Sequence, residues 1–186
     1  MAHAPRASER GITLPELLIT VVVAAVLVAI AVPNMRTFMQ NTSRAGRVNS
    51  LVGALSFARS EAVTRGQQTT VCPGGASDND CNPSAAGSEW IFNTGFLVMA
   101  VTSVGSTPVV AKRFSPDMGS ATLHGAVSRF SYTPLGQPEN GETWFRYCDT
   151  RGDPESRIVF INATGRAGSY ELGDLEIKDL SVPSCP

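Results

Sequence analysis

The sequence predicts an α+β chain: one long helix toward the N-terminal end, packed on antiparallel sheet. Three features carry that expectation. Residues 12–32 form an apolar run, residues 48–62 repeat apolar side chains at helical spacing, and from residue 67 short β-branched and aromatic runs alternate with Gly, Pro, Asn and Asp. With 186 residues, 42% hydrophobic and 17% charged, the chain has room for one globular domain and an appendage. It is too hydrophobic and too weakly charged to be disordered. A net charge of −1 excludes polyanion binding through bulk charge. The charge is uneven, however: residues 1–66 hold seven Arg and three acids, residues 67–186 eight bases and thirteen acids.

The apolar run, Ile12 to Val32, reads ITLPELLITVVVAAVLVAIAV. Thr13, Glu16 and Thr20 are its polar residues, and it holds no Lys or Arg. As a helix it is about 30 Å long, the thickness of a bilayer's hydrocarbon core. A secretory signal has a shorter apolar region, followed by a small-residue cleavage site. Here the chain past Pro33 stays polar and helix-compatible, so a membrane helix is expected. Arg6 and Arg10 precede the run against Glu9. A positive flank stays cytoplasmic, which puts the rest of the chain across the membrane.

All four cysteines, Cys72, Cys81, Cys148 and Cys185, fall on that exported side. An even count outside the cytoplasm points to disulfides. Three pairings are possible, and the preferred one joins sequence neighbours. Cys72–Cys81 would close a small loop over a Gly/Asp/Asn/Pro-rich stretch, and Cys148–Cys185 would tie the C-terminus to a strand. A zinc site is the alternative, but there is no C-x-x-C spacing and His is scarce.

Glu16 lies inside the apolar run. A carboxylate in hydrocarbon is costly unless paired, so it is a functional-site hypothesis by default. A cut after Gly11 would expose an amine on Ile12, which could meet Glu16 of a neighbouring subunit. The other reading places Glu16 at the membrane interface.

Arg10-Gly11-Ile12-Thr13-Leu14-Pro15-Glu16-Leu17-Leu18 resembles the prepilin motif of type IV pilins and type II secretion pseudopilins. The resemblance implies that a prepilin peptidase cuts between Gly11 and Ile12 and methylates Ile12. Glu16 becomes the fifth mature residue, and Pro33 stands where pilins carry a helix-bending proline. Ile12 replaces the family's usual Phe, and Pro15 its Ile or Val. Pro15 falls in the first helical turn, where a missing N–H costs nothing.

Past Pro33 the helix should resume. Val48, Leu51, Val52, Leu55, Ala58 and Ala62 form one apolar face, while Arg36, Arg44, Arg47, Arg59 and Arg65 fall mostly elsewhere, solvated or against neighbouring subunits. Gly66 is the expected C-cap, which gives a helix of roughly 80 Å from Ile12 to Arg65. The expected strands are Thr69–Cys72, Trp90–Val101, Pro108–Phe114, Val127–Thr133, Thr143–Cys148, Arg157–Asn162 and Leu175–Ile177. The expected organisation is a leader (1–11), a membrane or fibre-core segment (12–32), an amphipathic helix half (33–66) and a β-rich head (67–186).

The head narrows the family. Phe57-Ala58-Arg59-Ser60-Glu61-Ala62-Val63-Thr64-Arg65-Gly66, Trp90 before Gly95-Phe96-Leu97-Val98, Phe130-Ser131-Tyr132-Thr133-Pro134-Leu135-Gly136, Arg146-Tyr147-Cys148-Asp149 and Arg157-Ile158-Val159-Phe160-Ile161 with Thr164-Gly165-Arg166 resemble the GspH/FimT/FimU branch. The resemblance implies the type IV pilin fold and a non-enzymatic, FimU-like minor pilin. Such a protein sits at the fibre tip and primes assembly of the type IV pilus. Its partners would be the prepilin peptidase, the other minor pilins and the major pilin, and the inner-membrane assembly platform. The same resemblance leaves open a GspH-like minor pseudopilin of type II secretion, working with other pseudopilins.

A third reading is DNA binding for natural transformation. FimT-like relatives use a Gly-Arg-x-Arg motif. Here Gly165-Arg166-Ala167-Gly168 lacks the second Arg, and Glu171, Asp174, Glu176 and Asp179 follow. Arg166 is therefore the DNA candidate, and DNA is not the expected partner. His124 is expected on a strand surface, with nothing to mark it as a catalytic base. Asp78, Asp80, Asn82 and Glu89 fit positions 1, 3, 5 and 12 of a calcium loop, but Pro83 stands where Gly is required. No metal or cofactor is expected.

Overall fold

The computed structural model describes residues 12–74, 79–81, 89–90, 95–100, 107–115, 119–174 and 182–185. The leader with Gly11, the expected strand Leu175–Ile177, and Asp78, Asn82 and Pro83 of the calcium-like loop lie outside the described residues. Among the described residues one α-helix, α1 (Leu14–Arg65), precedes nine strands. These are β1 (Thr69–Pro73), β2 (Glu89–Trp90), β3 (Phe96–Ala100), β4 (Val109–Phe114), β5 (Thr122–Gly125), β6 (Phe130–Tyr132), β7 (Thr143–Cys148), β8 (Arg157–Ile161) and β9 (Ala167–Glu171). The chain divides between Ser43 and Arg44 into two compact units.

The first unit carries the start of α1. Its apolar side chains are bare: Ile12 is 76% exposed, and every described side chain from Ile12 to Val32 is exposed. An 18-residue window there reaches a mean hydropathy of 2.6, so length and composition suit a membrane crossing. Its polar groups bond inward. Thr20 Oγ1 donates to Leu17 O at 2.8 Å, and Asn34 Nδ2 donates to Ile30 O at 3.2 Å. Such bonds to the helix's own backbone reduce the cost of placing these groups in an apolar medium. Pro33 stands within the helix without ending it.

The second unit starts at Arg44. Here α1 buries Arg44, Val48, Leu51, Ala54, Leu55, Ala58 and Ala62, a three-and-four spacing that makes one face. Three of these are alanines with no exposed surface, which lets the backbone approach the sheets closely. The helix stops at Gly66, whose φ of +60° suits glycine, and Gln67 N–H reaches back to Ala62 O at 3.2 Å. That bond closes a Schellman motif.

Two antiparallel sheets meet the helix. The first has the order β4-β3-β1-β6 and the second β2-β5-β7-β8-β9. One core joins both: Val71, Val98 and Tyr132 of the first sheet and Leu123, Phe145, Tyr147, Val159 and Ile161 of the second pack with α1. Phe130 and Tyr132 meet edge-on at 4.8 Å, and Phe130 meets Phe145 at 6.3 Å. The far face of the second sheet has its own cluster of Ile158 and Phe160 with Trp144, Tyr170 and Val182. Burial on both faces explains why β7 and β8 read as almost continuous apolar or aromatic runs.

The strands differ from the expectation in four places. The expected strand Trp90–Val101 is two strands in different sheets, β2 and β3. Gly95, at φ +114°, stands between them, and a Cβ there would collide with Phe114 O. Val127–Thr133 contracts to Phe130–Tyr132. Strand β5, which begins at Thr122, was not expected; it is short and carries His124 and Gly125. Strand β9, sequence AGSYE, was not expected either. It owes its place to the turn before it: Asn162 Oδ1 accepts from Thr164 N–H (3.1 Å), Thr164 Oγ1 (2.7 Å) and Arg166 N–H (3.0 Å). That turn folds β9 back on β8 in register from Ile161↔Ala167 to Arg157↔Glu171.

Disulfides join Cys72 to Cys81 and Cys148 to Cys185, with sequence separations of 9 and 37. The second holds a C-terminal strap that is also gripped by a buried arginine. Arg146, 1% exposed, donates to Pro183 O, to Asp153 Oδ1 at 2.8 Å and to Ser156 Oγ at 3.0 Å. Cys185 N–H donates to the same Asp153 oxygen at 2.6 Å. In the loop-entropy picture the longer loop is worth about 1 kcal/mol more than the shorter. Cys148→Ser should therefore lower the melting temperature more than Cys72→Ser. The opposite order in thermal melts would contradict this.

Candidate functional site

Chemistry-bearing residues gather in two places: the start of α1, and the contacts that fasten its second half to the head. At the start, Ile12 precedes the helix and Glu16 lies in its first turn, exposed. The amide-rich N-terminal turn favours an acid. Glu16 makes no ion pair among the described residues, and the next base along α1 is Arg36. Ile12 stands four positions before Glu16, just ahead of the helix.

In the second unit three of the four arginines of α1, Arg44, Arg47 and Arg59, meet the head, where the sequence reading put them mostly elsewhere, while Arg65 is exposed and pairs with Glu61. Arg44 is buried, with an ion pair to Glu155 and a 2.7 Å hydrogen bond to Glu155 O. Arg47 donates to Tyr147 Oη at 3.0 Å. Arg59 donates through Nε to Gly136 O at 3.0 Å and through Nη2 to Thr164 O at 2.8 Å. The guanidinium groups reach past the apolar stripe and satisfy head groups that would otherwise be desolvated without partners. Helical spacing missed this because long side chains cross to groups that a linear pattern does not show.

The Arg44 contact is one end of a network. Glu155 lies in a short 3-10 turn, Asp153–Glu155, and also faces Arg151 at 3.5 Å. Arg151 in turn grips both oxygens of Asp149, donating from Nη2 to Oδ2 at 2.6 Å and from Nε to Oδ1 at 3.1 Å. Partial burial pushes the Asp149 carboxyl up. The hydrogen bonds and charge of Arg151, with Arg44 beyond, outweigh this and hold it below its ordinary value. Its contribution to stability is present above the ordinary carboxylate pKa and fades as the pH falls through its lowered value.

The Arg59 contact brings two distant sequence motifs together. Gly136 ends the turn Thr133–Gly136, closed by Gly136 N–H to Thr133 O at 2.8 Å, and Gly165 ends the turn before β9. Both glycines have positive φ, +74° and +82°, and a Cβ on Gly165 would collide with Gly136 O. Tyr132 Oη donates to Gly165 O at 3.1 Å, and burial pushes this phenol far above its usual range, so it stays a neutral donor. The Tyr132–Gly136 and Thr164–Arg166 segments are therefore one construction, clamped to α1 by Arg59. Beside it opens a cleft of about 570 Å³, lined by Ser56, Arg59, Val63 and Thr64 of α1 and by Gly165 and Arg166. The Arg166 side chain is exposed and pairs with no acid among the described residues.

Other candidates play smaller parts. His124 is on β5, half-buried, with Nε2 3.0 Å from Thr122 Oγ1. Asp80 is exposed and accepts from Cys81 N–H. Among the described residues no cluster of three metal-ligating side chains occurs.

Comparison with known proteins gives these features a context. Residues 47–165 match the family described as type II transport protein GspH, and residues 6–32 match the prokaryotic N-terminal methylation motif. No curated protein matches. Among solved structures the chain is similar to the type IV minor pilin FimU of Pseudomonas aeruginosa in two crystal forms. In the first, identity is 20%, coverage is 72% of this chain and 92% of FimU, and the TM-score is 0.53. In the second, the values are 19%, 68%, 91% and 0.50. The fold is that of a type IV pilin, with a methylation motif that implies processing by a prepilin peptidase and assembly with other pilins. An apolar first helix, a C-capped second half and two antiparallel sheets thus fit the matched sequence, and the chain belongs to the GspH family of minor pilins and pseudopilins.

Proposed function

We propose that the protein is a minor pilin that enters the tip of a type IV pilus and primes its assembly. One observation carries this reading: a helix whose first turns are wholly bare, with a lone carboxylate in the opening turn, on a head that shares its fold with a type IV minor pilin. Bare apolar surface of this extent needs lipid first and the helices of other subunits later. Cleavage between Gly11 and Ile12 would release the subunit from its leader and supply the amine, methylated, that answers Glu16 of the next subunit. Before assembly the head faces the periplasm, where its disulfides form. Pro33 would supply local freedom for the helix to adapt in the fibre. The inner-membrane platform, the other minor pilins and the major pilin are the partners.

A second reading, a minor pseudopilin of type II secretion, is favoured by the description of the matched family. Deletion separates the two. Loss of surface fibres with secretion intact supports the pilus; loss of secreted enzymes with fibres intact supports the pseudopilin. DNA binding has less support, because Arg166 lacks the second arginine of the motif, whose place Gly168 takes, and one cation gives a phosphate backbone little to hold.

Processing is testable first. Gly11→Val should leave full-length precursor in the membrane, because the peptidase needs a small residue at the cut. An uncut N-terminus in assembled fibres, read by mass spectrometry, would refute cleavage at this bond. Glu16→Ala should be cleaved and inserted normally, since neither step uses the charge pair. It should nonetheless fail to enter fibres, because it leaves a buried amine unpaired, at a cost of about 3–5 kcal/mol. Normal amounts of Glu16→Ala protein in sheared fibres, with normal fibre numbers in a deletion strain, would sink the pairing.

A further inference from the structure

We infer that the turn Pro134–Gly136 and the adjoining cleft form a docking surface for the head of another fibre subunit, one that presents an apolar side chain beside a carboxylate. The inference rests on the pilin reading and adds the face used and the chemistry of the partner. Leu135 is 78% exposed, the most of any large apolar side chain described in the head. A solitary exposed leucine is ordinary. This one stands on a turn fastened from three sides: Thr133 N–H to Gln137 O at 2.9 Å, Gly136 N–H to Thr133 O at 2.8 Å and Arg59 Nε to Gly136 O at 3.0 Å. A side chain held out on a fixed backbone loses little freedom on binding, as an anchor should. Val63, 54% exposed, stands against Gly136 and extends the apolar patch to the cleft wall.

The cleft supplies the charge. Among its lining residues are two arginines, three hydroxyl side chains and no acid. Arg59 is committed to two carbonyls, which leaves Arg166 to meet a ligand. Arg44, Arg65, Arg146, Arg151 and Arg157 hold acids of their own chain; Arg166, like Arg129, is exposed and holds none among the described residues, and of these two it is Arg166 that lines the cleft. A nucleic acid backbone fits this face poorly. It rewards rows of cations and gains nothing from Leu135 and Val63, whereas a protein surface with one carboxylate next to one apolar side chain uses every feature present.

The test uses the full chain in the membrane of a fibre-forming strain. A photocrosslinking benzoyl-phenylalanine replaces Leu135, and in a control replaces Val109 on the outer strand of the first sheet. The expected result is a crosslink from position 135 into the head of another fibre subunit, next to an acidic residue. Arg166→Glu should reduce that crosslink about tenfold, and Lys in place of the acid on the partner should restore it. The melting temperature of the Arg166→Glu protein should be unchanged, since the side chain is exposed. A crosslink indifferent to Arg166→Glu, or no crosslink from position 135 in fibres that contain the protein, overturns the docking surface. So does retardation of a short DNA duplex that Arg166→Ala abolishes, which would assign the cleft to nucleic acid. Absence of the unmodified chain from fibres defeats the pilin reading itself, an outcome distinct from the others.

Discussion

One helix has to satisfy two surroundings, and much of the molecule follows from that. Over its first turns α1 buries nothing within the chain, so its side chains suit lipid or other helices. From Arg44 onward the same helix supplies the central face of a folded core. The change of role follows the sequence, from an apolar run at residues 12–32 to an amphipathic half with one apolar face. What changes is side-chain size and periodicity. Large aliphatics all round give way to a narrow stripe in which Ala54, Ala58 and Ala62 leave room for the rings of Tyr132, Phe145 and Tyr147. A bulkier residue at Ala58 would push the helix from both sheets at once.

The polar contacts have a complementary role. An apolar stripe against aromatic sheets is tolerant of small slips along the helix axis. Arg44, Arg47 and Arg59 each meet a specific oxygen of the head, at Glu155, Tyr147 and Gly136. Directional bonds at separate points along α1 fix its register where packing does not. The desolvation cost of burying Arg44 and Arg146 is offset by paired acids and carbonyls, with Arg146 Nε left without a hydrogen-bond partner.

The legibility of the sequence divides along physical lines. The helix, its cap at Gly66 and the strands at 143–148 and 157–161 follow from local pattern, because periodicity and β-branched runs report directly on burial. The division of residues 90–101 between two sheets, and the strands at 122–125 and 167–171, do not. Those depend on where the chain turns, and the signals are single residues such as Gly95 and Asn162, whose effect lies in tertiary contacts. The arginine contacts were illegible for the same reason: Arg59 meets residues 77 and 105 positions away. The Gly136–Gly165 contact had a signal in the glycines of two motifs, but only the fold shows that each is needed for the other.

The distribution of rigidity then has a functional logic. The head is closed by two disulfides, its C-terminal strap is gripped by Arg146 and Asp153, and its helix contact is pinned by three arginines. In the segment before Ser43, Thr20, Asn34, Thr37 and Thr42 bond along their own helix. A subunit that must leave lipid and enter a fibre gains from this separation. On the pilin reading the head keeps one shape while the apolar segment exchanges lipid for protein neighbours, so no free energy is spent on refolding the head. Such an exchange is nearly neutral for aliphatic side chains, since lipid tails and packed helices are alike apolar. The carboxylate of Glu16 is not neutral in it. On the proposed pairing its cost depends on whether an amine stands beside it, which a neighbouring subunit would supply and lipid would not.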